Sequence, residues 1–155
     1  MKNIILIQDS DFNQIRKKIK ENPNKKIIFS SDNDELNRKV LEKEKIDILL
    51  LNQAHRKDKL KQRNSGLNSV LAKIAKKNNI IIGINLDEII ESKEKQKREI
   101  LARVKQNIML CNKNNLRMEF IALKNKNKRN FYDLKSLGLV LGMPTKMISQ
   151  MRKFF

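Results

Sequence analysis

The 155-residue chain is 39% hydrophobic and 34% charged, which supplies one sizeable core and so a single domain over 1–155. Its 35 Lys and Arg against 17 Asp and Glu leave a net charge of +18, and a polyanion, nucleic acid first, is the partner that such a balance implies. One cysteine, Cys111, excludes an internal disulfide framework and a thiolate zinc site, and one histidine, His55, all but excludes chemistry built on histidine clusters. No apolar run approaches the roughly 20 residues that span a bilayer, and Met1–Gln8 is too short and too closely followed by acids for a signal peptide. The expectation is a soluble cytoplasmic protein without a membrane partner.

In chain order, Ile4–Ile7 is a β-branched run, and Phe12, Ile15 and Ile19 recur at helical spacing until Asn22-Pro23-Asn24. The unit repeats with Lys26–Phe29, the cap candidates Ser30-Ser31-Asp32, and a helix through Leu36, Val40 and Leu41. Ile46–Leu51 reads as the third strand. A polar, basic loop runs to Asn64, where Ser65 stands as an N-cap for a helix on Leu67, Val70, Leu71 and Ile74, ended by Asn78-Asn79. Ile80–Leu86 fits a strand covered on both faces. Ile100, Leu101, Val104, Ile108 and Cys111 mark a long helix from Lys93 to about Lys113. Met118–Leu123 is the fifth strand; the loop Lys124–Asn130 follows, then a helix on Leu134, Leu137, Val140 and Leu141 that stops near Gly142. Pro144 can open a last short helix. This succession of β-α units predicts an α/β protein with parallel strands, either rolled as a barrel or laid out as an open doubly wound sheet.

The charge is unevenly spread. Residues 1–52 carry 11 basic and 9 acidic side chains, 53–79 carry 8 and 1, 80–116 carry 7 and 5, and 117–155 carry 9 and 2. Two segments therefore hold most of the excess, and each begins after a predicted strand. If those strands are parallel, both basic loops leave the same edge of the sheet, where α/β proteins place ligand-contacting loops. Arg56, Lys57, Lys59, Lys61 and Arg63, with Lys124, Lys126, Lys128 and Arg129, are the candidate RNA-binding residues, one electropositive surface that displaces counterions from phosphates. The plain alternative is solvated loop charge. Six Phe, one Tyr and no Trp give poor support to a base-stacking platform, so folded RNA is the better target.

No catalytic or metal site stands out. His55 has only Asp58 for a nearby carboxylate, and Cys111 lies on the apolar side of its helix, where an inert thiol is expected. Asp9, Asp11, Asp32 and Asp34 follow the first two strands, where they can gather a divalent cation or simply cap helices, and capping is the commoner use. Four glycines and no Gly-rich phosphate loop exclude a nucleotide cradle of that design. The methionines after Met1 suit core or interface filling. Met147, Ile148, Met151, Phe154 and Phe155 at the C-terminus are expected to pack on the core, with a docked partner as the alternative.

Arg63-Asn64-Ser65-Gly66-Leu67-Asn68-Ser69 followed by Val70-Leu71-Ala72-Lys73-Ile74-Ala75 and the apolar strand Ile80–Ile84 resembles archaeal ribonuclease P protein component 3, the thirty-kilodalton subunit family. Gln106-Asn107-Ile108-Met109-Leu110-Cys111-Asn112-Lys113 resembles the end of that family's long helix, and Asp133-Leu134-Lys135-Ser136 and Leu141-Gly142-Met143 resemble its Asp-Leu-Arg-Ser and Leu-Gly-Met elements. The similarity covers roughly residues 63–143; earlier residues agree in the β-α pattern and around Asn33–Lys39. The resemblance implies a TIM-barrel-like fold related to the polymerase-and-histidinol-phosphatase (PHP) barrel, shortened here because the chain is shorter than typical members. It also implies a non-catalytic subunit that binds ribonuclease P RNA, pairs with a small ferredoxin-like subunit and other ribonuclease P proteins, and supports removal of the 5′ leader from precursor tRNA. No cofactor is expected on the protein, with Mg²⁺ on the partner RNA. A general RNA-binding or ribosome-assembly module and a metal-dependent phosphoesterase on the same fold are the rival readings.

Overall fold

The computed structural model describes residues 3–152. Five parallel strands form one sheet: β1 (Ile4–Ile7), β2 (Lys26–Phe29), β3 (Ile48–Leu51), β4 (Ile81–Asn85) and β5 (Met118–Ile121). Their spatial order is their chain order, with no reversal. That order decides between the two architectures, because a doubly wound sheet reverses at a switch point and a barrel does not. Between and after the strands lie α1 (Phe12–Lys20), α2 (Asp34–Lys43), α3 (Ser69–Lys77), α4 (Leu86–Glu91), α5 (Glu94–Lys113), α6 (Phe131–Val140) and α7 (Thr145–Gln150).

Alternation along the strands separates two apolar clusters. One face gives Ile7, Ile27, Phe29, Leu49, Leu51, Ile82, Ile84, Met118 and Phe120 to a core shared with Ile15, Val40, Leu41, Leu71, Ile100, Val104 and Ile108 from the helices. The other face holds Ile28, Ile48, Leu50 and Ile121, flanked by Ile4, Leu6 and Ile81, with no helical residue among the described ones. All helices thus cover one side, as in a TIM-like barrel wall. Gly83 keeps the inner face tight: a Cβ there would lie 3.0 Å from Ile48, 3.1 Å from Leu50 and 3.3 Å from Ile121.

Three helices end in the same way. Asn79, Asn115 and Gly142 take positive φ one residue past the caps of α3, α5 and α6, at 54°, 54° and 101°. In each, the next amide reaches back five residues, Ile80 to Ala75, Leu116 to Cys111 and Met143 to Gly138, at 2.8–2.9 Å, closing a Schellman motif on a buried apolar residue. The Asn78-Asn79 pair and Gly142 expected to end helices are two of these stops, and Asn114-Asn115 makes the third.

Three stretches need correction, while the C-terminal expectation of core packing holds where the residues are described. Asn68, not Ser65, caps α3, because the Ser65 carbonyl accepts from Gln53 and Asn107 inside the loop. Val70 and Val140 are exposed, at 53% and 79%, since the buried stripe of α3 runs through Leu71, Ala72 and Ala75 and Val140 ends α6 in solvent. The strand expected over Ile80–Leu86 stops at Asn85, which caps an unforeseen helix, α4, through its side chain. At the C-terminus Met147 and Met151 are buried and Ile148 packs beside them; Phe154 and Phe155 lie outside the described residues.

Candidate nucleic-acid interface

Because β3 and β5 run parallel on either side of β4, the loops after them leave the same edge of the sheet. Helix α4 starts between them, and its first turn carries Asp87 and Glu88. Glu88 accepts the amides of Gln53 at 2.7 Å and Ala54 at 3.2 Å, at the root of the first basic loop. Asp87 accepts the amides of Leu123 at 3.0 Å and Lys124 at 3.3 Å, and the Asn127 side chain at 2.8 Å, at the root of the second. Adjacent carboxylates on one short helix therefore hold both roots with charge-assisted bonds, each worth about 1.5–3 kcal/mol. Burial raises the Glu88 carboxyl above its ordinary value, opposed by the two amides.

Within the first loop, Arg56 is not a free cation. Its side chain is 8% exposed, pairs with both Asp34 oxygens at 2.9 Å and donates to the Asn52 carbonyl at 2.6 Å. Gly66, at φ +77°, leaves the room this guanidinium occupies; any Cβ there would collide with it. Arg103 from α5 lies beneath, donating to Asp58 at 3.0 Å and to the carbonyls of Gln53 and Arg56 at 2.9 and 2.8 Å. Asp58, held below the usual carboxylate range chiefly by Arg103, also accepts the Asn64 amide at 2.8 Å and closes the neck of the loop. Beyond that neck Lys59 and Gln62 exchange backbone hydrogen bonds of 2.9 and 3.3 Å around the turn Leu60-Lys61. Lys57, Lys59, Lys61 and Arg63 are exposed, and their side chains form no ion pair among the described residues. His55 is exposed beside them.

The second loop carries similar charge in a different state. Lys124 donates to both Glu91 oxygens at 2.9 and 2.7 Å, Lys126 approaches the same carboxylate at 3.3 Å, and Asn127 reaches it at 3.0 Å. Lys124, then Asn127, lower Glu91 to about 2. Arg129 is exposed and turns back to the Lys126 and Lys128 carbonyls, both at 3.1 Å, while Lys128 is half-buried. The nine candidate cations thus belong to two neighbouring loops, but Arg56 is structural and Lys124 and Lys126 are partly neutralised.

The residues that organise the rim, Asp87, Glu88, Glu91 and Arg103, were missed by reading for charge. Arg103 had a signal: it sits three residues after Ile100 and beside Val104 on the buried stripe of α5, where an arginine must find partners. The four aspartates near the first two strands are committed elsewhere. Asp9 pairs with Lys18 at 2.9 Å, Asp11 caps α1, Asp32 accepts from Asn52 at 3.3 Å and Asp34 holds Arg56. Among the described residues no three His, Cys, Asp or Glu side chains group as metal ligands. Amides bridge the strand ends instead, Asn85 to Asn52 at 2.9 Å and Asn52 to Ser30 at 3.1 Å. Cys111 is buried, and burial pushes its thiol up to about 12, an inert state at neutral pH.

A family model described as RNase P subunit p30 matches residues 5–152. Ribonuclease P protein component 3 of Methanococcus vannielii is 28% identical over 147 residues, covering 94% of this chain and 59% of the relative. The protein of the same name from Methanosarcina acetivorans is 33% identical over 87 residues, 56% of this chain and 34% of that one. A chain in the cryo-EM structure of archaeal ribonuclease P with mature tRNA shares the fold at a TM-score of 0.71 and 24% identity, over 95% of this chain and 63% of that chain. The chain thus spans about three-fifths of the length of the Methanococcus vannielii relative and of the solved chain. No helix among the described residues is long and apolar enough to cross a membrane.

Proposed function

The chain belongs to the RNase P subunit p30 family, and on that premise we propose that it is a non-catalytic subunit of an RNA-based ribonuclease P, acting in the cytoplasm. Its rim cations bind the catalytic RNA and support removal of the 5′ leader from precursor tRNA. The observation that carries this reading is the pairing of two basic loops on one sheet edge, fixed there by Asp87 and Glu88. Exposed lysines at a fixed spacing neutralise crowded phosphates and release counterions, so the RNA holds its active geometry at lower magnesium. The chain supplies no nucleophile; the hydrolytic Mg²⁺ is held by the RNA. A small ferredoxin-like subunit and the other ribonuclease P proteins are its protein partners.

Reconstitution tests this. Archaeal ribonuclease P RNA is assayed for leader removal with and without this chain, in the presence of the remaining protein subunits and at limiting magnesium. Stimulation by the chain is the expected result. Tight RNA binding without stimulation would move the protein to the general RNA-binding class, and phosphoester hydrolysis by the RNA-free chain would move it to the enzymes.

A further inference from the structure

Leu60 has no packing role. It is fully exposed, the most exposed large hydrophobic side chain among the described residues, and it occupies the tip of the first basic loop. The tip is built rigidly: Asp58 closes the neck through Arg103 and Asn64, and the Lys59–Gln62 backbone pair fixes the turn on which Leu60 stands. On either side are Lys57, Lys59, Lys61 and Arg63, exposed and without ion pairs among the described residues. An apolar side chain held away from the body contributes nothing to the core, and here it stands on a fixed turn among those cations, where a docking polyanion would meet it.

We propose that Leu60 is an apolar wedge for RNA. The flanking cations seat the loop on phosphates, and the isobutyl group packs against the face of an unpaired or bulged base. This deepens the RNA-binding reading above and rests on it. The surrounding charge favours RNA over a protein surface as the occupant, because a protein would need a dense carboxylate patch around its apolar socket, whereas RNA supplies anion and base face together. The chemistry suits a chain poor in aromatics: base faces are apolar enough to reward aliphatic contact, and apolar side chains inserted at base steps serve as wedges in other nucleic-acid complexes. Division of labour follows. Lysines provide salt-dependent affinity and Leu60 a salt-independent part that selects disrupted over continuous helix.

The test measures binding of the wild-type chain, Leu60→Ser and a Lys57→Gln/Lys59→Gln/Lys61→Gln triple variant to archaeal ribonuclease P RNA and to a fully paired RNA duplex, across a salt series. Leu60→Ser should weaken binding to ribonuclease P RNA about tenfold at every salt concentration, the scale of one half-buried leucine, with the salt slope unchanged. On the duplex it should bind as wild type. The triple variant should lower the slope on both RNAs. Melting temperature serves as a control, since an unpacked side chain leaves the fold intact. Equal binding by Leu60→Ser and wild type, or equal losses on both RNAs, would overturn the wedge while leaving the lysine reading in place. Unchanged RNA binding with loss of a co-assembled protein subunit would also overturn it, in favour of a protein socket. Absence of RNA binding by the wild-type chain would overturn both readings at once.

Discussion

The two basic loops carry nearly the same number of cations and differ in how many are available. In the loop after β3 the carboxylates sit at the neck and underneath, where Asp34 and Asp58 engage Arg56 and Arg103 and leave the outer lysines unpaired among the described residues. In the loop after β5 one carboxylate, Glu91, reaches up from α4 and takes Lys124 and Lys126 together. Charge counted along a sequence is therefore an upper bound on the field a partner meets. What decides the remainder is whether the fold spends carboxylates on the scaffold of a loop or on its tips.

The strongest way to break the contrast is to collapse the scaffold of the first loop. Arg103→Met leaves Asp58 and two carbonyls without their donor and should cost about 3 kcal/mol in denaturant unfolding, with protease cleavage appearing first between residues 53 and 64. Neutralising the tips comes next. Lys57→Gln/Lys59→Gln/Lys61→Gln should lower the slope of log K against log salt by about two to three units for ribonuclease P RNA, whereas Lys124→Gln/Lys126→Gln should lower it by about one or less. Equal slopes for the two variants would erase the distinction. In the opposite direction, Glu91→Gln releases Lys124 and Lys126 and should steepen the slope by about one unit, with tighter binding at low salt.

Smaller effects appear in the pH dependence of melting. Glu91 at about 2 lies below its ordinary 4.5, so its contribution is present above pH 4.5 and is lost as pH falls towards 2. Glu91→Gln should lack that acid limb between pH 4.5 and about 2. Glu119, on β5 and paired with neither Lys124 nor Lys126, has the opposite sign. Burial pushes it up to about 7, against the Arg152 amide and Arg117, so stability present below pH 4.5 declines as pH rises through 7. Glu119→Gln should flatten only this neutral limb, giving the baseline on which the Glu91 effect is read.

Much of the wall of the barrel was legible, because its strands are continuous apolar runs and its helices carry apolar stripes stopped by Asn-Asn or Gly. The placement of both basic loops on one edge followed from parallel strands alone. Helix α4 was missed because its cap, Asn85, is itself the last strand residue and Leu86 extends the apolar run, although Asp87 and Glu88 are the acids expected of a helix's first turn. The fate of each cation was hidden for a related reason. Arg56 meets Asp34 across 22 residues and Lys124 meets Glu91 across 33, so local composition shows the charge but not its partner.

Neighbouring side chains of a six-residue helix anchor both loops, and this ties their fates together. Fraying of α4 would release the chain at Gln53 and at Leu123 in one event, so one local opening reaches both loops at their roots. A ligand that stiffens either loop by holding α4 in place should therefore raise the protection of the backbone amides at both roots, which hydrogen exchange would read.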